Sequence, residues 1–545
     1  MSNSIPISDV QRTILCQTEA FEVVSILWSK QVPPLVCNLH NHGWSQCHVL
    51  IQEGTFENNL LAGVKAELRI FEVGQVISTP VGAAHQMRCL SESGRTLHVY
   101  TPKIAEHKEE DRKFNSLIDQ SLKTSIQLGE AVRFDELTKL LSAIEKNSIS
   151  THSPYFMNQL FSGVHPQALV AEELIAKSKT TLATHEASPV FSRIENEIVE
   201  QLGALIGWNP GSRDGVSVPG GSAANFMAIQ LAKQKTFPET KAEGLAGKVF
   251  KIFVSKEAHY SFQKAAVSMG FGTQAIVPVG TDETGKMDVT LLEKAILDAK
   301  KLGQIPLMVC ATAGTTVYGS FDPIGEIHKI CHYHSIWLHV DGAWGGPVLF
   351  SKTARRLIDK IETADSMTFD AHKLIGASLT CSFILTKHQG LLLEANDVSG
   401  ADYLFHNSQS EESDRGKLSW QCGRRADSLS FWSIWKNLGT LGLGNLVDRL
   451  LSVRDESIAW IQRQERLDIL KESSFLNLCV RVAPPSGASD KQWSIRVREE
   501  LKRQNLAMVN YSSNETGAFL RLIIVHPQVT AEHIRNILKY ALEVS

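Results

Sequence analysis

Three apolar runs, VFKIFVS, PLMVCAT and SIWLHVD, each end in a loop and give way to a segment with helical spacing of its apolar residues. Runs of this kind form a parallel sheet whose two faces are covered by helices. The alternation sets in beyond Pro154 and commits the larger part of the chain to an α/β fold. Towards the end come helix, the strands LNLCVRV and FLRLIIV, and a last helix, HIRNILKYALEV, which read as a smaller α+β domain.

Ahead of that region the pattern is different. Residues 19–100 hold short strands (AFEVVSILW, QCHVLIQ, AELRIFEV, RTLHVY) separated by Gly, Pro and Ser turns, the texture of a small all-β barrel or jelly roll. From Lys103 the chain turns helical and charged, through KIAEHKEEDRKFNSLIDQSL and FDELTKLLSAIEK. Within it EHKEEDRK reads equally as a linker or as a solvated helix face. The expected organisation is a barrel over 1–104, a helical connection over 105–152, a large domain over 153–435 and a small one over 436–545.

Composition narrows the function. Lys and Arg total 55 against 58 Asp and Glu, a net charge of -3, so the basic surplus of a nucleic-acid binder is missing. No apolar run approaches ~18 residues, which speaks against a membrane span. The start, MSNSIPISDVQRTIL, has neither the charge nor the apolar stretch of a secretion signal. Nine scattered cysteines with no CxxC pair suit a reducing compartment, and the expected location is cytoplasmic.

Three signals fall in order along the α/β region. Residues 218–225, VPGGSAAN, set glycines between a strand end and the helical stretch FMAIQLAKQK. Amides at such a helix start can hold a phosphate, although similar turns also serve as plain connections. IWLHVDGAWGG puts Asp341 at the C-terminal end of a buried strand, where α/β sheets gather ligands. A helix cap or a buried pair is the alternative there. FDAHKLIGA places Lys373 beside His372 among small apolar residues, either as a snorkelling surface lysine or as one that forms a Schiff base. A phosphate holder, a carboxylate for a pyridinium nitrogen and an amine for an aldehyde are together what pyridoxal phosphate requires.

From about Ser153 to the end the sequence resembles the pyridoxal-phosphate amino-acid decarboxylases of the glutamate and cysteine sulfinate group. The resemblance lies in FMNQLFSG, HEASPVFSRIENEIV, PGGSAANFMA, SKEAHYSFQKAA, ATAGTTVYGSFDP, LHVDGAWGG, AHKL, QCGRRAD and FLRLIIVHP, in family order. It implies a fold type I (aspartate aminotransferase-like) α/β domain, pyridoxal 5'-phosphate as cofactor, and a homodimer. It further implies Lys373 as the Schiff-base lysine, Asp341 at the pyridinium nitrogen and His259 against the ring face. Ser222, Ala223 and Ala224 would lie at the phosphate with His372 nearby, and Arg521 would bind the substrate α-carboxylate. Asn158 and Gln159 would touch the side-chain end of the substrate. With Phe161 and Ser162, their segment is nearer to cysteine sulfinate decarboxylases than to glutamate enzymes, so cysteine sulfinate is expected ahead of glutamate or aspartate. Two departures stand out. Asp370-Ala371 replaces the Asn-Pro of animal relatives, and Ser413, in a lid beginning near Tyr403, falls where relatives often carry a protonating tyrosine. His259 is then a candidate proton donor to Cα.

In the first region, His40 and His42 are two apart in LHNHGW, so on a strand both imidazoles project from one face. His85, after a second strand and turn, is placed to close a three-histidine metal site. Three neutral imidazoles leave Fe(II) its full charge and open positions, which suits a thiolate alongside O2. Zinc and a metal-free barrel are the alternatives. The arrangement resembles cysteine dioxygenase, in the thiol dioxygenase branch of the cupins, through HNHGWSQC and LHVYTP. That resemblance implies a Cys47–Tyr100 crosslink, Tyr100 as a catalytic residue, His98 on the same strand, and Arg12 on the cysteine carboxylate. The two resemblances suggest one expectation: a bifunctional enzyme that oxidises cysteine to cysteine sulfinate and decarboxylates that to hypotaurine. The alternative is a glutamate or aspartate decarboxylase carrying a regulatory or oligomerising cupin.

Overall fold

The structure, a computed structural model, describes residues 10–17, 22–28, 40–41, 46–53, 55–62, 65–73, 75–79, 84–89, 94–101, 126, 128 and 131–544, apart from 399, 402, 406–413, 472–474 and 486–489. His42, Ser413 and the helical stretch expected over 103–122 lie outside these residues. The chain divides into two compact units. One comprises residues 1–104, 164–452 and 471–475, and the other 105–163, 453–470 and 476–545.

In the first unit, residues 10–101 form two antiparallel sheets among the described residues. One runs in the order Val10–Gln17, Glu22–Trp28, Gly94–Thr101, Gln46–Glu53, Val76–Thr79, and the other His40–Asn41, Ala84–Cys89, Phe56–Ala62, Lys65–Phe71. Strand Gln46–Glu53 buries Val49 and Ile51 and exposes Gln52, the two-residue alternation of a sheet with one face inside.

The remainder of this unit is built on a seven-stranded sheet, in the order Asp214–Pro219, Cys381–Thr386, Ser366–Asp370, Trp337–Gly342, Ile305–Thr312, Phe250–Ser255, Ile276–Val279. The strands are parallel except Cys381–Thr386, which runs antiparallel to both neighbours. Every residue of Trp337–Gly342, Ser366–Asp370 and Cys381–Thr386 is buried. Burial on both faces explains why these strands read as unbroken apolar runs rather than alternating ones. Helix Gly221–Thr236 lays Ala224, Met227, Ala228, Leu231 and Ala232 onto a core shared with Ile252, Val254, Met308, Cys310 and Ile384. Polar residues inside this sheet require partners, and five of them, His339, Asp341, Ser366, Thr368 and Asp370, lie on two adjacent strands, Trp337–Gly342 and Ser366–Asp370.

The second unit has a five-stranded sheet in the order Phe156–Met157, Met508–Asn514, Gly517–Ile523, Asn477–Val482, Leu467–Ile469. The first pair is parallel and the others antiparallel. The spacing in FDELTKLLSAIEK gives the helix Phe134–Asn147, none of whose residues is buried. Its apolar residues Phe134, Leu137, Leu141 and Ile144 stand exposed. Among the described residues, no helix is long and apolar enough to cross a membrane.

Candidate active site

Strand Asp214–Pro219 ends in Gly220, whose φ of 98° is one that favours glycine, and helix Gly221–Thr236 begins at once. A Cβ on Gly221 would stand 2.8 and 2.9 Å from the two carboxylate oxygens of Asp370, so only glycine lets the helix start come this close. The first-turn amides and the dipole make this start a receptor for an anion. Ser222 is exposed and Ala223 half-buried there, whereas the Ala224 side chain is wholly inside the core. Any part Ala224 plays at a phosphate is thus through its backbone.

Asp341 ends strand Trp337–Gly342 and is held on both oxygens. Asn225 Nδ2 donates to Oδ2 at 2.9 Å, and the Ala343 amide donates to Oδ1 at 3.1 Å. Asn225 in turn donates to Ser261 Oγ at 3.0 Å and accepts from the Thr368 hydroxyl at 2.7 Å. Its carbonyl also faces His339 Nε2 at 3.1 Å, while His339 Nδ1 meets Ser366 Oγ at 2.8 Å and the Trp337 indole donates to the same hydroxyl at 2.9 Å. Burial pushes the His339 imidazole down to about 4, partly offset by Asp341, so the ring is neutral at pH 7. A neutral ring donating from Nε2 and accepting at Nδ1 satisfies both contacts. The network leaves Asp341 no freedom to turn away from the strand end.

His259 follows strand Phe250–Ser255, accepts the Ser261 amide at Nδ1 over 3.3 Å, and packs on Tyr260 with ring centroids 4.2 Å apart. Burial lowers its pKa, Asp341 opposes that, and Lys373 reinforces it. Lys373 follows strand Ser366–Asp370, and its Nζ lies 3.1 Å from Asp370 Oδ2. His372 is turned inward, with Nδ1 2.9 Å from the Cys381 carbonyl and Nε2 3.8 Å from Asp370 Oδ2. One unit therefore gathers a helix start for a phosphate, a fixed carboxylate, a half-buried imidazole and a partly exposed amine.

The family model of the pyridoxal-dependent decarboxylase conserved domain matches residues 126–483. The chain belongs to the pyridoxal-dependent decarboxylase family. It is 37% identical over 439 residues to the cysteine sulfinic acid decarboxylase of Rattus norvegicus, spanning 78% of this chain and 87% of the rat protein. To the acidic amino acid decarboxylase GADL1 of Bos taurus it is 38% identical over 399 residues, 71% of this chain and 76% of the bovine one. The crystal structure of mouse CSAD in apo form superposes with a TM-score of 0.75 at 33% identity, covering 79% of this chain and 93% of that one.

As a member of this family the chain is a lyase that decarboxylates an amino acid with pyridoxal phosphate. The residues present fit that cofactor. The start of helix Gly221–Thr236 presents first-turn amides to an anion, Asp341 is a carboxylate held on both oxygens, and Lys373 offers a primary amine at the end of a strand of the same sheet. In the second unit, Arg521 is buried on strand Gly517–Ile523, and its Nη2 donates to the Asn158 carbonyl at 3.1 Å. Asn510 donates to that carbonyl at 3.3 Å. Asn158 and Arg521 are thus brought together, while Gln159 beside them is exposed. Tyr403 is exposed as well.

Of the residues named for the first region, His40 and His85 are direct cross-strand partners, as are Cys47 and Tyr100. Arg12 lies on strand Val10–Gln17 opposite Ile26. The described side chains hold no cluster of metal-ligating residues, and those of His40, His42 and His85 are not among them.

Several working residues escaped the motif reading. Asn225 sits inside GGSAAN, and its polar side chain within an apolar helix was the available signal. Asp370 was visible only as a departure. Glu195 is wholly buried between Arg424 and Arg415, at 2.7 and 3.2 Å, and it accepts the Ser217 amide of the strand leading to Gly220 at 2.6 Å. Its place four residues ahead of Val199 and three ahead of Ile198, on the apolar helix face, could have marked it.

Proposed function

We propose that the chain is a decarboxylase for acidic amino acids with cysteine sulfinate as its preferred substrate, fused to a cupin that makes this substrate from cysteine. The observation that carries the first half is the buried Arg521 guanidinium against Asn158, on the segment that resembles cysteine sulfinate decarboxylases. A planar guanidinium suits bidentate capture of a carboxylate, and holding that group fixes which bond breaks. The relatives named for cysteine sulfinic acid and for acidic amino acids point to the same substrate class. Pyridoxal phosphate, when bound, supplies an electron sink for the carbanion left by loss of CO2. Lys373 would hold it covalently, Asp341 would keep a proton at its ring nitrogen, and the start of helix Gly221–Thr236 would hold its phosphate. His259, neutral at pH 7 and near Lys373, is the group available to move a proton. CO2 release from cysteine sulfinate, aspartate and glutamate tests this. The expected kcat/KM is highest for cysteine sulfinate, and a higher value for glutamate refutes the assignment.

The second half rests on backbone register: His40 opposite His85, and Cys47 opposite Tyr100, each pair adjacent across antiparallel strands. In this reading Fe(II) would be held by His40, His42 and His85, Arg12 would hold the cysteine carboxylate, and Tyr100 would orient substrate and oxygen. Both atoms of one O2 enter the thiolate sulfur to give the sulfinate, with no further reductant. A Lys373→Ala chain loaded with Fe(II) separates the two activities. It should consume O2 with cysteine and accumulate cysteine sulfinate, and no uptake would dismiss the dioxygenase and leave the β region a regulatory or oligomerising module. A homodimer in a reducing cytoplasm completes the reading, supported by the exposed stripe of Phe134, Leu137, Leu141 and Ile144 and by buried thiols such as Cys310 and Cys381.

A further inference from the structure

The helix start that should receive the phosphate already has an anion beside it. Asp370 is 1% exposed, and both its oxygens lie within 2.9 Å of the point a Cβ on Gly221 would occupy. Oδ2 pairs with Lys373 Nζ at 3.1 Å and has His372 Nε2 at 3.8 Å. Oδ1 has no hydrogen-bond partner among the described residues, although it is buried. A buried carboxylate in that condition is tolerated because a helix start and an ammonium face it. Cofactor loading disturbs both supports. A phosphate on the amides next to Gly221 brings two negative charges beside a third in a water-poor site, and the Lys373 ion pair has to open before the amine can meet an aldehyde. An asparagine at this position would keep the shape and bring no charge.

We propose that Asp370 limits the affinity of this chain for pyridoxal phosphate, by standing as a fixed negative charge at the phosphate cradle. The proposal rests on the cofactor reading of the site and adds a residue-specific consequence to it. The Lys373 ion pair has to open for either aldehyde, so the repulsion between carboxylate and phosphate is the part of the effect seen with pyridoxal phosphate beyond that seen with pyridoxal.

The test measures binding, not turnover. Protein freed of cofactor is dialysed to equilibrium against pyridoxal phosphate and, separately, against pyridoxal, which lacks the phosphate. Asp370→Asn should tighten pyridoxal phosphate at least about tenfold, or ~1.4 kcal/mol, and tighten pyridoxal by much less. Asp370→Ser, which removes the charge with a smaller group, should move both ligands in the same direction and serves if the asparagine variant does not fold. An unchanged or weaker affinity for pyridoxal phosphate overturns the proposal, and so does an equal gain for pyridoxal. Those results would leave the cofactor reading intact. Failure of the unaltered protein to take up pyridoxal phosphate at all would remove that reading and the proposal with it.

Discussion

Asp341 can serve a ring nitrogen only while its carboxylate stays charged and aimed, and Asn225 secures the aim through one amide that bridges Asp341, Ser261, Thr368 and His339. Asn225→Leu removes every one of these bonds and leaves buried acceptors unpaired. The expected result is retained fold with kcat lowered roughly ten- to a hundredfold, read from CO2 release alongside far-UV circular dichroism. Lys373→Ala should lower kcat at least about a thousandfold, checked in the same assay. His259 gives a pH signature. Burial depresses its pKa below the ordinary 6.5, so it stays neutral at pH 7 and gains a proton only on further acidification. The acid limb of kcat/KM should therefore lie below pH 6.5 and change shape in His259→Gln. An acid limb above 6.5 would show that another group controls it. At this scale Lys373, Asp341 and His259 could be singled out from the sequence, because each stands in a contiguous motif. The approach of Asp370 to Gly221 was not, since it depends on the start of helix Gly221–Thr236 lying beside the end of strand Ser366–Asp370, two strands away from its own in the sheet.

Helix Pro189–Ile206, strand Asp214–Pro219 and the loop holding Arg415 and Arg424 are joined by one buried carboxylate. Burial alone would push Glu195 up, but Arg424 and Arg415 outweigh it and hold the carboxyl at about 2, against 4.5 for an unperturbed glutamate. A depressed carboxyl contributes stability that is fully present above pH 4.5 and is lost as pH falls towards 2. The shift corresponds to about 3 kcal/mol. Glu195→Gln leaves two buried guanidinium groups uncompensated, so it should lower unfolding stability by about 3–5 kcal/mol at neutral pH, measured by urea denaturation. It should also flatten the pH dependence between 4.5 and 2. An unchanged midpoint would mean the arginines find other partners. The helix itself was legible from its periodicity, and a charged residue on its apolar face signalled a partner. The identity of that partner, 229 residues away, was not readable from any local pattern.

Across the whole molecule, helix Phe134–Asn147 presents an apolar face with no buried residue, a pattern that costs solubility unless something covers it. If a second copy covers it, Leu141→Asp should turn dimer into monomer in sedimentation velocity, with circular dichroism unchanged. A variant that remains dimeric places the interface elsewhere. The amino-acid sequence decided the architecture of the large sheet, because strands buried on both faces must be apolar along their length and helices must alternate with them. It pointed to the cofactor too, because an amine, a carboxylate and a glycine turn follow one another in motifs that resemble those of the family to which the chain belongs. Only the tertiary structure decided what holds those groups. Asn225 and Asp341 are 116 residues apart and meet because the sheet order brings the start of one helix beside the end of another strand. Asp370 reaches the start of helix Gly221–Thr236 for the same reason. Local periodicity sets which face a residue occupies, whereas the order of strands in the sheet sets its neighbour, and that order is a property of the packed core.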